Sequence, residues 1–203
     1  MLIRELNIND TQSFCNLIVN MYSDLENLEW FSPMPYDFDN VKSMIENPRF
    51  YIIGVFDNDT LCAVSSFDYK CGKLIGKINF PSNCNTEKLV EIGFTMVHSH
   101  YKGQGIMKKM VEFLIQKAKQ EGFEWLFAKV HINNFASSKS LQKNGFKIHC
   151  PYSKPVNKKD FIHLSSQDFF SQKGKVNANI TLSKFTNAPE IIVDYNILVR
   201  DLK

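Results

Sequence analysis

Hydrophobic and polar positions alternate over Leu2 to Asn7, as in a short strand. Asn9 or Asp10 can then cap a helix whose apolar residues Phe14, Leu17, Ile18 and Met21 recur at helical spacing. A second short helix is predicted over Asp39 to Glu46, stopped ahead of Pro48 because the residue before a proline avoids helical geometry. Arg49 to Phe56 and Thr60 to Tyr69 are β-rich runs joined by the polar turn Asp57-Asn58-Asp59, the pattern of a hairpin. Lys73 to Phe80 reads as a further strand, and the strongly apolar Leu89 to Val97 as a central one. From Gln104 onward Ile106, Met107, Met110, Phe113, Leu114 and Ala118 keep helical spacing up to Gly122. Trp125 to Ile132 then predicts a strand, Asn134 a cap for a helix over Ser137 to Gln142, and Asn144-Gly145 its end before a strand at Phe146 to Cys150. Beyond Pro151, Phe161 to Ser165 and Ile191 to Val199 are the two strand-like stretches.

The succession of strand-like and helix-like runs predicts a mixed α/β (α+β) domain. One domain over residues 1–203 is expected, with a core at 1–150 and C-terminal strands and an extension at 151–203.

Composition narrows the function classes. The 203 residues are 44% hydrophobic, enough for a real core, yet no apolar run approaches the roughly 20 residues of a membrane-spanning helix. No secretion signal is evident at the start, so a cytoplasmic protein without membrane attachment is expected. Five cysteines form no C-x-x-C pair and have no histidines at zinc-finger spacing. The net charge of +3 is mild, and the lysines at 102, 108, 109, 117 and 119 suit a solvated helix face or an anionic ligand. The 17 phenylalanines are scattered at strand and helix spacings rather than set as stacking platforms, so no nucleic-acid partner is expected.

The chemistry lies in Glu91 to Ile106, where a buried strand feeds a loop with Gly103 and Gly105 that opens the longest predicted helix. Unpaired amides at a helix N-terminus carry partial positive charge, and glycine removes the Cβ that would keep a phosphate from the backbone. The loop lacks the G-x-x-x-x-G-K-[ST] of nucleotide hydrolases and the third glycine of a dinucleotide fingerprint. Two glycines alone could equally make a tight turn.

His100-Tyr-Lys-Gly103-Gln-Gly105 resembles the cofactor loop [RQ]-x-x-G-x-[GA] of the GNAT acetyltransferases. Asn134 and Ser137 are similar to the family's N-x-x-[AS], with Gly145 and Phe146 following eleven and twelve residues after the Asn in the family's register. The likeness covers about residues 1 to 150 and implies the GNAT fold, a twisted, mostly antiparallel sheet with Leu89 to Val97 and Trp125 to Ile132 as a splayed parallel pair and helices on both faces. It implies acetyl-CoA as cofactor, its pantetheine arm pairing with backbone groups of Met96, Val97 and His98. The pyrophosphate would meet the amides of Tyr101, Lys102, Gly103, Gln104, Gly105 and Ile106, and Asn134 and Ser137 would contact the arm or thiol side.

The resemblance also implies an amine acceptor, which is a small molecule, a peptide or a protein, attacked directly in a ternary complex. Glu91 stands where several members carry the carboxylate that takes the amine's proton; otherwise it is a solvated or ion-paired strand carboxylate. His131 is the second candidate base, imidazole being a side chain that titrates near neutrality, although a lone histidine at a strand end also serves as polar surface. Two departures stand out. His100 replaces the usual Arg or Gln. Leu141 occupies the position where many members place a tyrosine that protonates the leaving thiolate, so that proton must come from elsewhere. The missing tyrosine leaves open a non-catalytic acyl-CoA-binding regulatory module. Trp30, Phe31, Tyr36 and Phe38, in a proline-broken loop, are the candidate acceptor-pocket lid, although packing against the sheet would use them as well. His98 and His100 have no third ligand at metal spacing, so no metal is expected. A monomer or a homodimer fits equally.

Overall fold

The computed structural model describes residues 1–24, 30, 34–70, 76–157 and 190–202. Within them, strands β1 (Leu2–Glu5), β2 (Phe50–Asp57), β3 (Thr60–Asp68), β4 (Leu89–Ile92), β5 (Met96–Val97), β6 (Trp125–His131), β7 (Lys147–Asn157) and β8 (Glu190–Asp201) make one sheet. The order is β1-β2-β3-β4-β6-β8-β7, with β5 paired to β3. The β4–β6 pair is parallel and the other described pairings are antiparallel.

Helices α1 (Thr11–Ser23) and α2 (Phe38–Glu46) cover one face. There Phe14, Leu17, Ile18, Met21 and Val41 pack with Ile52, Phe56, Val64, Met96 and Tyr195. Helices α3 (Ile106–Gln120) and α4 (Phe135–Lys143) cover the other, where Met110, Val111, Leu114 and Leu141 meet Phe67, Val90, Ile92, Leu126, Ala128 and Leu198. Alternation along β6 divides its side chains accordingly: Leu126, Ala128 and Val130 go to the α3 side and Trp125, Phe127, Lys129 and His131 to the α1 side. No helix among the described residues is long and apolar enough to cross a membrane.

Local chemistry explains where the elements begin and end. Asp10 holds the N-cap position of α1, as one of the two expected, but makes no side-chain cap bond to the helix: a 3₁₀ turn precedes it, capped by Asn7, which accepts from the amide of Asn9, while Asp10 accepts from the amide of Asn7. Asp10 also takes a bidentate ion pair from Arg4 at 2.7 Å, which holds its carboxyl below the usual range and welds β1 to α1. Helix α2 begins at Phe38 because Asp37 caps it through the amide of Asn40.

Three predicted strands differ from what forms. Residues 76–80 of the expected Lys73–Phe80 strand are turn and irregular chain, and 71–75 lie outside the described residues; Ile78 and Phe80 instead fold over Trp125 and Phe127. The expected continuous strand Leu89–Val97 is broken at Gly93–Thr95. The strand expected to stop at Cys150 runs to Asn157 through Pro151 and Pro155, which the sheet tolerates because β7 is its edge. The C-terminal β8 inserts between β6 and β7, so the tail completes the sheet. Phe161–Ser165 lies outside the described residues.

Candidate active site

The site starts where two strands part. β4 pairs with β6 only from Leu89↔Trp125 to Ile92↔Ala128. At Gly93 the chain turns to β3, donating its amide to Ser66 O at 2.7 Å, and β5 follows β3 through Ala63↔Val97 and Val64↔Met96. Glycine here leaves room for a serine hydroxyl. A Cβ at residue 93 would stand 2.4 Å from Ser66 Oγ. A hydrogen bond between Ser65 Oγ and Thr95 Oγ1 (2.8 Å) fixes the displaced segment. Among the described residues, β6 past Ala128 pairs only with β8. The edges of Met96–Val97 and Lys129–His131 therefore face a V-shaped gap with no described strand between them.

Beyond β5 the chain makes a 3₁₀ turn at Ser99–Tyr101, capped by His98, whose Nδ1 accepts from the amide of His100. The amides of Tyr101 and Lys102 donate to His98 O and Ser99 O. Tyr101 hydroxyl donates to Asp57 at 3.2 Å, and the Gln104 amide group to His100 O at 3.2 Å. These bonds stiffen the loop and occupy its first amides. Those of Gly103, Gln104, Gly105 and Ile106 donate to no group among the described residues. Gly103 (φ +79°) and Gly105 (φ +73°) are in the left-handed region, and nothing lies within 4 Å of where their Cβ atoms would be. Gly105 is the N-cap of α3 and offers no side-chain partner for the orphan amides. An anion can sit directly on this cradle, with Lys102 and Lys108 exposed beside it.

Of the residues expected to hold a cofactor, Met96, Val97 and His98 thus line the gap and Gly103 to Ile106 form the cradle. Tyr101 and the Lys102 backbone shape the cradle from behind. Asn134 caps α4, accepting from the amide of Ser137 at 3.1 Å, which leaves its side-chain NH₂ as a donor at the end of β6. Leu141 is buried against the α3 side.

On the α1 face Glu91 is 7% exposed, two residues before the strands separate. Burial pushes its carboxyl above the ordinary 4.5; Lys129 Nζ, 3.5 Å from Oε1, pulls the other way. His131 is 7% exposed, and its Nδ1 accepts from the amide of Asn133, so the neutral ring carries its proton on Nε2. Trp30 stacks on His131 at 6.3 Å between centroids, Tyr195 meets it edge-on at 6.1 Å, and Tyr152 neighbours Tyr195 at 6.5 Å. The Met34 amide donates to the buried Tyr22 hydroxyl at 3.0 Å, tying the aromatic loop to α1.

The expected lid is thus divided. Trp30 reaches the site, Tyr36 packs into the α1 core, Phe38 is half exposed on the first turn of α2, and Phe31 lies outside the described residues. Lys129, Tyr195 and Tyr152 were not singled out from the sequence. Lys129 had a signal, being a cation inside an apolar strand. The two tyrosines had none, because β7 and β8 meet the site only through sheet topology.

The family model of the acetyltransferase (GNAT) domain matches residues 1–147, and the chain belongs to this family, whose cofactor is acetyl-CoA. No curated protein matches it. Among solved structures it is similar to an N-acetyltransferase from Staphylococcus aureus Mu50, with TM-score 0.65 and 16% identity over 100% of this chain and 98% of that one. A ribosomal-protein-alanine N-acetyltransferase from Brucella melitensis gives TM-score 0.64 and 15% identity, covering 99% of each chain. A Salmonella typhimurium protein, solved with its cofactor acetyl-CoA, gives TM-score 0.64 and 16% identity over 100% and 94%. At these identities the likeness is one of fold.

Proposed function

We propose that the protein moves an acetyl group from acetyl-CoA to an amine of a small molecule, peptide or protein by direct attack in a ternary complex. The observation that carries this reading is the gap between β5 and β6, with the amide cradle of Gly103 to Ile106 following β5 and the buried carboxylate Glu91 just before the split. The cradle fits a diphosphate, and the separated strand edges fit an amide-bearing arm. Bound acetyl-CoA supplies an activated thioester. Met96, Val97 and His98 orient the arm, and Asn134 and Ser137 meet it from α4.

An alkylamine of pKa near 10.4 is about 3 units from its neutral form at pH 7, a penalty of roughly 4 to 5 kcal/mol. Glu91 receives that proton, directly or through water; its burial makes it a stronger base than an exposed carboxylate. His131, with its proton on Nε2 and its ring between Trp30 and Tyr195, orients the acceptor. Thiol release from acetyl-CoA over a panel of polyamines, aminoglycosides, amino acids and peptides tests the reading. Amine-dependent release is expected. Binding of coenzyme A without release on any amine would instead support the non-catalytic acyl-CoA-binding module.

A further inference from the structure

Glu91 has a like-charged neighbour: its register partner on β3 is Asp68, itself buried. Two carboxylates facing across adjacent strands repel and favour protonation of one of them. Asp68 is held by a bidentate contact from Arg49 and also accepts from the Lys70 amide. Lys129, from the opposite neighbouring strand, is the cation in direct contact with Glu91, and Arg49 adds a weaker pull from beyond Asp68. The four charges form a file across the sheet: Arg49, Asp68, Glu91, Lys129. Lys129 is itself largely buried, and its ammonium lies 5.9 Å from the centre of the Tyr195 ring on β8. A buried ion pair contributes little net stability compared with an apolar pair of the same shape, and every other inward residue of β6 on this face up to Phe127 is apolar. Packing alone does not call for a lysine there.

We infer that Lys129 is a positioning residue for acyl transfer, its ammonium keeping the Glu91 carboxylate ionised and oriented toward the gap against the opposing charge of Asp68. The inference rests on Glu91 serving as the base.

Carboxyl-¹³C NMR of glutamate-labelled full-length protein, titrated by pH, reads the coupling without any acceptor. Glu91→Gln assigns the resonance by its disappearance. In Lys129→Met the Glu91 midpoint should rise by about one pH unit or more, and in Lys129→Arg stay within about half a unit of the parent. The melting temperature supplies a second readout. A carboxyl raised in the folded state binds more protons there than in the unfolded chain, so stability falls as pH climbs above its ordinary value. The deficit of Lys129→Met relative to the parent should therefore widen from pH 4.5 to pH 8. Should Lys129→Met not fold, Lys129→Gln takes its place. A midpoint within about 0.3 unit of the parent in the neutral variant overturns the inference, whatever its turnover. Full thiol release by Glu91→Gln with the amine panel would overturn the reading of Glu91 itself, and the coupling seen by NMR would then be structural.

Discussion

The two sides of the site are made of different material. On the proposed cofactor side the groups on offer are peptide amides and strand edges, held by Gly93, Gly103 and Gly105 and by internal bonds of the loop. On the proposed acceptor side they are side chains from β4, β6, β8 and the aromatic loop, namely Glu91, Lys129, His131, Tyr195 and Trp30. A backbone cradle depends on a few residues being nothing but glycine and tolerates change around them. A side-chain wall can change acceptor by single substitutions while the fold and donor site persist. The contrast predicts that damage to one side should leave the other intact.

The largest effect is expected at Glu91. Removing a general base costs on the order of 10²- to 10⁴-fold in rate, so Glu91→Gln should lose that much turnover while calorimetry finds coenzyme A affinity within about twofold of the parent. In the parent, activity should fall on the acid side at a pH above 4.5, because burial raises the Glu91 carboxyl and only its ionised form accepts a proton. A variant that loses coenzyme A binding in parallel with rate would merge the two sides and break the comparison.

Gly103→Val with Gly105→Val attacks the other side. Each valine must leave the left-handed region, swinging its amide off the cradle, and two lost hydrogen bonds to a charged phosphate are worth about 3 kcal/mol or more. Affinity for coenzyme A should drop roughly 100-fold or more. No described residue crowds either position, but both hold positive φ, so each valine is strained and the melting temperature should fall by the equivalent of about 1 to 2 kcal/mol per site; binding is compared well below the transition. Unchanged calorimetric binding would show that the cradle does not hold the diphosphate.

This division also explains what could be read in advance. The glycine loop, the α3 start and the Asn134 cap are local, each set by a few consecutive residues, and the structure forms them where the spacing puts them. Helix α1 and the β2–β3 hairpin were legible for the same reason, Asn58 adopting φ +50° in the polar turn. The break at Gly93 was hidden because Leu89 to Val97 is mostly apolar and strand-like on both sides of the glycine; at the interruption Gly93 turns to Ser66 on another strand. Tyr195 and Tyr152 became site neighbours only because β8 inserts between β6 and β7. Lys129 is distinguished by Glu91 and Asp68, which are 38 and 61 positions away in the sequence.

Gly93 itself offers a test of how the gap is kept open. Gly93→Ala drives a methyl to 2.4 Å from Ser66 Oγ, an overpacking of the kind that costs about 1 to 3 kcal/mol. Ser66 Oγ is buried without a hydrogen-bond partner, so Ser66→Ala alone should be neutral or slightly stabilising. Combined, the two should recover most of the loss in chemical denaturation. Failure of Ser66→Ala to rescue would place the strand break in the backbone rather than in this side-chain collision.

The smallest effect separates two roles that coincide in Asn134. As a helix cap its Oδ1 accepts from the Ser137 amide, and Asn134→Ala should cost about 1 kcal/mol of stability. Asn134→Asp keeps an acceptor and adds a negative charge at the N-terminus of α4, so stability should be retained. The same change removes the NH₂ donor that would face the pantetheine arm. If Asn134 is a ligand as well as a cap, the aspartate variant should bind acetyl-CoA about 5- to 10-fold more weakly while melting like the parent, the cost of one lost hydrogen bond. Parental affinity in that variant would make Asn134 a cap alone, and the arm would then be held by the strand edges of Met96–Val97 and Lys129–His131 without help from α4.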